Sequence, residues 1–261
     1  MAPMPPDASV HPVAQAGFAE AGTYERARPG YPPAAVSWLA DHLRIGPGAV
    51  VVDLAAGTGK LTRLLVSTAA TLVAVEPLEG MRILLAAQCP TVPVAAGTAE
   101  GLPLRTGSVD AVTVAQAFHW FDADAAFAEL HRVLRPGGRV GLIWNARDRT
   151  VAWVDRVWAV MDRVERRAPW RDHDRLGADD LGRRAGFGPL HRAAFHHGQP
   201  VTPEGVIDRF RSVSHVAVLP EPEREAVLAE VRDVLATHPQ TSGQDELLIP
   251  YRVDCLWCER R

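Results

Sequence analysis

Val50-Val51-Val52-Asp53-Leu54-Ala55-Ala56-Gly57-Thr58-Gly59-Lys60-Leu61-Thr62 decides how this chain folds. Three β-branched residues in a row suit a buried strand, and the small residues after them suit a tight turn into a helix. Glycines in such a turn let backbone N–H groups come close to a ligand. Residues 49–54 therefore read as a first strand, and residues 58–68 as the helix it feeds, with Leu61, Leu64 and Leu65 turned inward. The alternation continues downstream. Apolar strands are expected at 71–75, 92–95, 110–116 and 139–144, and helices at 79–89 and 121–134, with Arg135-Pro136-Gly137-Gly138 as a breaker. Upstream, Pro32 and Pro33 open a helix through about Leu43, and Gly46-Pro47-Gly48 closes it. Strands and helices at this spacing predict an open, doubly wound α/β fold with a mostly parallel sheet and helices on both faces.

The last hundred residues are less regular. Apolar residues at 151, 154, 157, 158, 161 and 164 predict an amphipathic helix, and 169–174 reads as loop. A sixth strand is expected at 190–197, helices at 202–211 and 221–236, and a final strand at 247–258. A mobile, proline-rich tail is expected at 1–16, and a single domain over 17–261.

Composition narrows the class. With 28 Lys+Arg against 31 Asp+Glu, the formal charge of −3 offers no bulk attraction to nucleic acid or anionic membrane. Three cysteines cannot make a disulfide framework, so a reducing cytoplasm is the expected setting. The first residues lack the basic and apolar regions of a signal peptide, and no apolar run approaches membrane-spanning length.

Three ligand classes use a strand, a glycine turn and a helix, and spacing separates them. A phosphate-cradling loop needs Gly-Lys-Ser/Thr, but Leu61 follows Gly59-Lys60 and Leu54 stands at the first glycine position. A dinucleotide fingerprint needs a third glycine where Thr62 stands. The third pattern fits: Asp53 at the strand end, Ala55, Gly57 and Gly59 in the turn, and Glu76, 23 residues after Asp53, at the end of strand two. A carboxylate there can accept both ribose hydroxyls of a nucleoside.

Val52-Asp53-Leu54-Ala55-Ala56-Gly57-Thr58-Gly59 resembles motif I of class I S-adenosylmethionine-dependent methyltransferases. Gly97-Thr98-Ala99-Glu100-Gly101-Leu102-Pro103-Leu104, Ser108 to Ala117, and Arg132-Val133-Leu134-Arg135-Pro136-Gly137-Gly138 are similar to later segments of the same family. The resemblance is closest to its small-molecule group, with ubiquinone/menaquinone-type and trans-aconitate-type members. It implies a seven-stranded Rossmann-like sheet with a reversed last strand, an N-terminal lid at about 17–45 and a helical insertion at about 198–240. It implies S-adenosylmethionine as cofactor and S-adenosylhomocysteine as product. Asp53, Ala55, Gly57, Thr58 and Gly59 would face the methionine part and Glu76, with Pro77 beside it, the ribose. Met81, or Leu78 near it, would pack on adenine, with Thr98, Ala99 and Glu100 at its edge, and Gln116 and Ala117 would line the methionyl side. Ala55 departs from the usual first glycine, and Thr98 from a common aspartate.

Methyl transfer needs alignment and exclusion of water, and some acceptors also need a base. His119 is the candidate base; its other reading is a hydrogen-bonding role toward cofactor or backbone. Phe118 and Trp120 are candidate substrate contacts, Trp120 and Phe121 would form an aromatic wall or simply core, and Tyr24 and Tyr31 are candidates from the lid. Arg28 would pair with the methionine carboxylate or lie at the surface. Asn145, Arg147 and Arg149 follow strand five at the pocket rim, while Arg209, Arg211, Ser214 and His215 lie in the insertion. Those arginines would bind an acidic substrate or form a solvated face. His196-His197 cannot share a metal on a strand, because neighbours there point to opposite faces, so no metal is expected. Cys255-Leu256-Trp257-Cys258 has redox spacing but falls in an expected strand, which favours core packing. The rivals are a cofactor-binding protein that transfers no methyl and a nicotinamide-dependent oxidoreductase. A nucleic-acid acceptor is disfavoured, since Gln116-Ala117-Phe118-His119 is not the Asn/Asp-Pro-Pro-Tyr/Phe motif expected for base amino groups. A small-molecule acceptor is the expected partner, and the oligomeric state stays open.

Overall fold

The computed structural model describes residues 25, 28–166 and 186–261, with only the backbone of Ala123, Arg166, Ser214 and His215. The expected tail at 1–16, Tyr24 and the expected loop at 169–174 lie outside the described residues.

The chain runs α1 (Pro33–Leu43), β1 (Val50–Leu54), α2 (Thr62–Leu65), β2 (Thr71–Val75), α3 (Glu79–Gln88), β3 (Val94–Ala95) and β4 (Val109–Ala115). It continues with α4 (Ala123–Val133), β5 (Leu134–Arg147), α5 (Ala152–Arg166), β6 (His191–Val201), α6 (Pro203–Arg211), α7 (Ser214–Ala217), α8 (Glu221–Thr237) and β7 (Leu247–Glu259). The seven strands form one sheet in the order β3-β2-β1-β4-β5-β7-β6. Strands β1 to β5 are parallel, and β7 runs antiparallel to both β5 and β6, which is the expected reversed last strand.

Alternation along each strand splits the core in two. Val52, Leu54, Val112, Val114 and Leu142 face α4, whose Ala126, Phe127 and Leu130 close that side. Val51, Ala74, Ala111 and Ile143 face the other side, against Leu39 and Leu43 of α1 and Leu61 and Leu65 around α2. Helix α1 lies directly on β5 at Gly141, where an added Cβ would come within 2.5 Å of Leu43. A third core joins α5, α6 and α8 to Leu247, Ile249 and Tyr251 of β7. Among the described residues, no helix is long and apolar enough to cross a membrane.

Several expected boundaries move, among them the end of β6, which runs to Val201 rather than 197. The helix after the turn starts at Thr62 rather than Thr58, because Gly57 and Gly59 take φ of 59° and 87° and keep the backbone turning. Strand β3 shrinks to two residues, since Pro93 has no N–H to donate, although its carbonyl still accepts from Ala74 at 2.9 Å. Arg135-Pro136-Gly137-Gly138 does not separate α4 from the fifth strand; it is a bulge inside β5, opposite a register shift between Val109 and Ala111.

Candidate functional site

Pairing of β2 and β4 on either side of β1 leaves a crevice at the carboxyl ends of β1 and β4, the switch point where open α/β sheets hold ligands. Both strands end there in unusual backbone. Ala55 has φ of 53° and Gln116 of 59°, a region that L-residues with a Cβ enter at a cost. Gly59, at φ 87°, also lets α3 approach, since a Cβ there would meet Leu85 at 3.2 Å and Cys89 at 3.4 Å.

Two buried carboxylates hold this turn. Asp53 is 1% exposed and pairs in register with Thr113 of β4, so both side chains share a face. Thr113 Oγ1 donates to its Oδ1 at 2.9 Å and Thr62 Oγ1 to its Oδ2 at 2.5 Å. Burial pushes the Asp53 carboxyl up to about 6 against these bonds. Asp53 therefore lies behind the turn and braces it. Glu76 accepts from Gly57 N at 2.9 Å and Leu78 N at 3.0 Å, and burial pushes it up to about 7. Each carboxylate oxygen has a second acceptor position, so these bonds leave Glu76 capacity for two more donors. Arg82 donates to the carbonyls of Glu76 and Pro77 and fixes the start of α3. Met81, on that first turn, is 2% exposed and stands apart from the three cores.

The segment before α1 reaches the same turn. The Thr58 hydroxyl donates to the Glu25 carboxylate, Arg63 Nη2 donates to it at 2.7 Å, and Lys60 Nζ donates to the Glu25 carbonyl at 2.8 Å. On the far rim, Thr98 and Gly101 form a short bridge, Ala99 is buried, and Glu100 accepts from Asp122 N at 2.9 Å, tying this loop to the start of α4.

Beyond β4 a 3-10 turn, Phe118–Trp120, presents the aromatic run. Ala117 precedes it as the N-cap. Phe118, a candidate substrate contact, is fully buried instead and packs edge-on against Phe121, Phe127 and Trp144. The tight turn aims it into the core. His119 is partly buried between Trp120 and Trp144, with ring centroids 5.0 and 6.4 Å away. Asn145 bridges two elements: its Nδ2 donates to Gly30 O at 3.0 Å, and its Oδ1 lies 3.0 Å from His197 Nε2. Arg28 Nη2 donates to Ser212 O at 3.1 Å, and Tyr31 packs on the α1-side core. Arg211 is held by Asp208 at 2.5 Å, and the side chain of His215 is outside the described residues.

A family profile described as a methyltransferase domain matches residues 52–142. An uncharacterized methyltransferase of Mycobacterium tuberculosis is 41% identical over 237 residues, covering 90% of this chain and 91% of that protein. The chain is a class I S-adenosylmethionine-dependent methyltransferase. A demethylmenaquinone methyltransferase of the same species matches at 43% over 99 residues, 38% of this methyltransferase and 42% of that protein. A solved structure described as a type II methyltransferase of Anaeromyxobacter dehalogenans superposes with a TM-score of 0.60 at 28% identity, covering 89% of this methyltransferase and 96% of that chain.

Three groups of this methyltransferase's site escape a reading of its sequence, and a fourth, a candidate for substrate or solvent, turns out buried. Thr62 and Thr113 matter only because the parallel register brings them to Asp53. Glu25 meets the turn from 33 residues away, with no local signal. Arg209 left one: it shares the spacing of Val206, Ile207 and Phe210, so a charge stands on an apolar helix face.

Proposed function

We propose that this methyltransferase uses S-adenosylmethionine to methylate a small-molecule acceptor by in-line displacement, releasing S-adenosylhomocysteine. The observation that carries the cofactor reading is Glu76: a buried carboxylate at the end of β2 that pins Gly57 and Leu78 and keeps acceptor capacity. Two ribose hydroxyls match that capacity. In this reading the turn from Ala55 to Gly59 faces the methionine part, with Asp53 bracing it from behind. Met81 packs on adenine, Thr98 and Ala99 border it, and Gln116 and Ala117 line the methionyl side.

When bound, the cofactor supplies an electrophilic methyl carbon on its sulfonium. The protein contributes alignment and exclusion of water, effects that supply about 7–11 kcal/mol in well-oriented systems. Asn145 and Arg28 tie the segment before α1 to β6 and to the end of α6, which narrows access and favours a small acceptor over a macromolecule. His119, at the exit of β4, is the group we assign to position the acceptor or take its proton.

Isothermal titration with S-adenosylhomocysteine tests the cofactor site. Wild type is expected to bind, and Glu76→Gln to lose at least about tenfold in affinity while still unfolding cooperatively. Equal affinity in the variant removes Glu76 from the ribose role. Binding of NAD without binding of S-adenosylhomocysteine overturns the proposal.

A further inference from the structure

Strand β5 ends at Arg147, whose register partner in β7 is Tyr251, and Tyr251 in turn faces His197 of β6. The Arg147 guanidinium lies over Trp158, with Cζ 5.2 Å from the ring centroid. Trp158 packs at 5.2 Å on Phe210 of α6, and the preceding residue, Arg209, is only 4% exposed. Nε and Nη1 of Arg209 and Nε of Arg147 are enclosed and, among the described residues, donate to nothing. Three acids of the neighbouring helices are engaged elsewhere. Asp155 and Asp162 each hold Arg149 at 2.7 Å, and Asp208 holds Arg211 at 2.5 Å. Among the described residues neither guanidinium has a carboxylate in ion-pair contact. Burial, and then the neighbouring Arg209 charge, push Arg147 down to about 10 against the opposing influence of Tyr251, Glu165 and Asp162, so it still carries its charge at neutral pH.

A guanidinium enclosed without a contacting carboxylate destabilises a fold, because the lost hydration is not replaced. Two of them, close enough to repel, are harder still to account for by packing. An arginine fork matches the oxygen pairs of carboxylates and phosphates, and such an anion would supply the acceptors that these N–H groups lack. The pair also sits where an acceptor belongs: Arg147 is two residues past Asn145, on the strand after the one that carries His119 into the site. We propose that Arg147 and Arg209 form a receptor for an oxyanion, a carboxylate or phosphate group, on the methyl acceptor. This rests on the methyltransferase site described above, since it names part of that site's substrate.

The test uses the full chain at constant ionic strength, with and without S-adenosylhomocysteine. Sodium succinate and sodium phosphate are the probes, succinamide is the uncharged control, and sodium chloride sets the background. Saturable binding of succinate or of phosphate, with none of succinamide, is expected in wild type, and the tighter of the two names the group. Arg209→Met is expected to weaken that binding at least about tenfold and to raise the melting temperature, because a buried unpaired charge becomes apolar. Arg147→Gln is expected to weaken binding similarly, and both variants to keep wild-type affinity for S-adenosylhomocysteine. A guanidinium that only supported the fold would give the opposite: lower melting temperature and unchanged anion binding. That result, or no saturable binding of either anion by wild type, overturns the proposal. Loss of S-adenosylhomocysteine binding with anion binding intact would count against the cofactor reading and leave the arginine pair standing.

Discussion

Ala55 is where this turn departs from its family's pattern, and it takes φ of 53°. A Cβ in that region costs about 1–2 kcal/mol, whereas glycine enters it freely but loses more chain entropy on folding. The first effect is the larger, so Ala55→Gly should raise stability by about 0.5–1 kcal/mol. Ala55→Val should lower it by about 1–3 kcal/mol, since a β-branched residue fits that backbone worst. Urea denaturation of both variants checks this; a destabilised glycine variant would mean that the alanine methyl makes a packing contact worth more than the strain. The substitution itself was visible in the sequence, but the strain was not, because φ at residue 55 depends on where β1 stops. Gln116, at φ 59° on the end of β4, gave no signal at all.

Among the elements, β7 resolves the Cys-x-x-Cys spacing. Residues three apart on a strand point to opposite faces, so Cys255 enters the α1-side core and Cys258 the α4-side core. Neither can reach the other, and burial pushes both thiols up to about 12. Cys89 is buried as well. With Ellman's reagent at pH 8, the native protein should therefore show no fast-reacting thiol and the unfolded chain three, and reductant should leave the melting curve unchanged; rapid native labelling would contradict the buried β7. The strand reading behind this was available from periodicity, as were the six other strands, because β-branched runs and proline–glycine punctuation are local. What periodicity could not supply was register. The Asp53–Thr113 pair, the Asn145–His197 bridge and the Arg147–Tyr251 row all depend on which residues lie opposite across the sheet. Helix α6 shows the intermediate case. Its buried face was legible, yet Arg209 on that face was grouped with the solvated Arg211 because charge outweighed spacing.

For the molecule as a whole, the two buried carboxyls couple stability to pH. Asp53 is pushed from 3.8 up to about 6 and Glu76 from 4.5 up to about 7, each mainly by burial. Between about pH 4.5 and 7 the native state keeps protons that the unfolded chain has released, so these groups lower stability as pH rises through that window. Asp110 and Glu129 are held low by arginine partners and backbone N–H groups. They are ionised in both states above pH 5 and add no slope there. His197 acts the other way. Burial holds it below 6.5, so its contribution is present above that pH and is lost as pH falls. Comparing wild type with Glu76→Gln cancels both backgrounds, because glutamine imitates the protonated acid. At pH 4 the two should be about equally stable, and at pH 8 the variant should be more stable by about 1–3 kcal/mol, in urea denaturation without ligand. Ribose hydroxyls donating to Glu76 would favour the ionised acid. S-adenosylhomocysteine should therefore bind wild type more tightly at pH 8 than at pH 5.5, with no such trend in the variant. Parallel stability curves for the two proteins would show that Glu76 titrates near its ordinary value, and the argument that its burial is kept for a ligand would lose its footing.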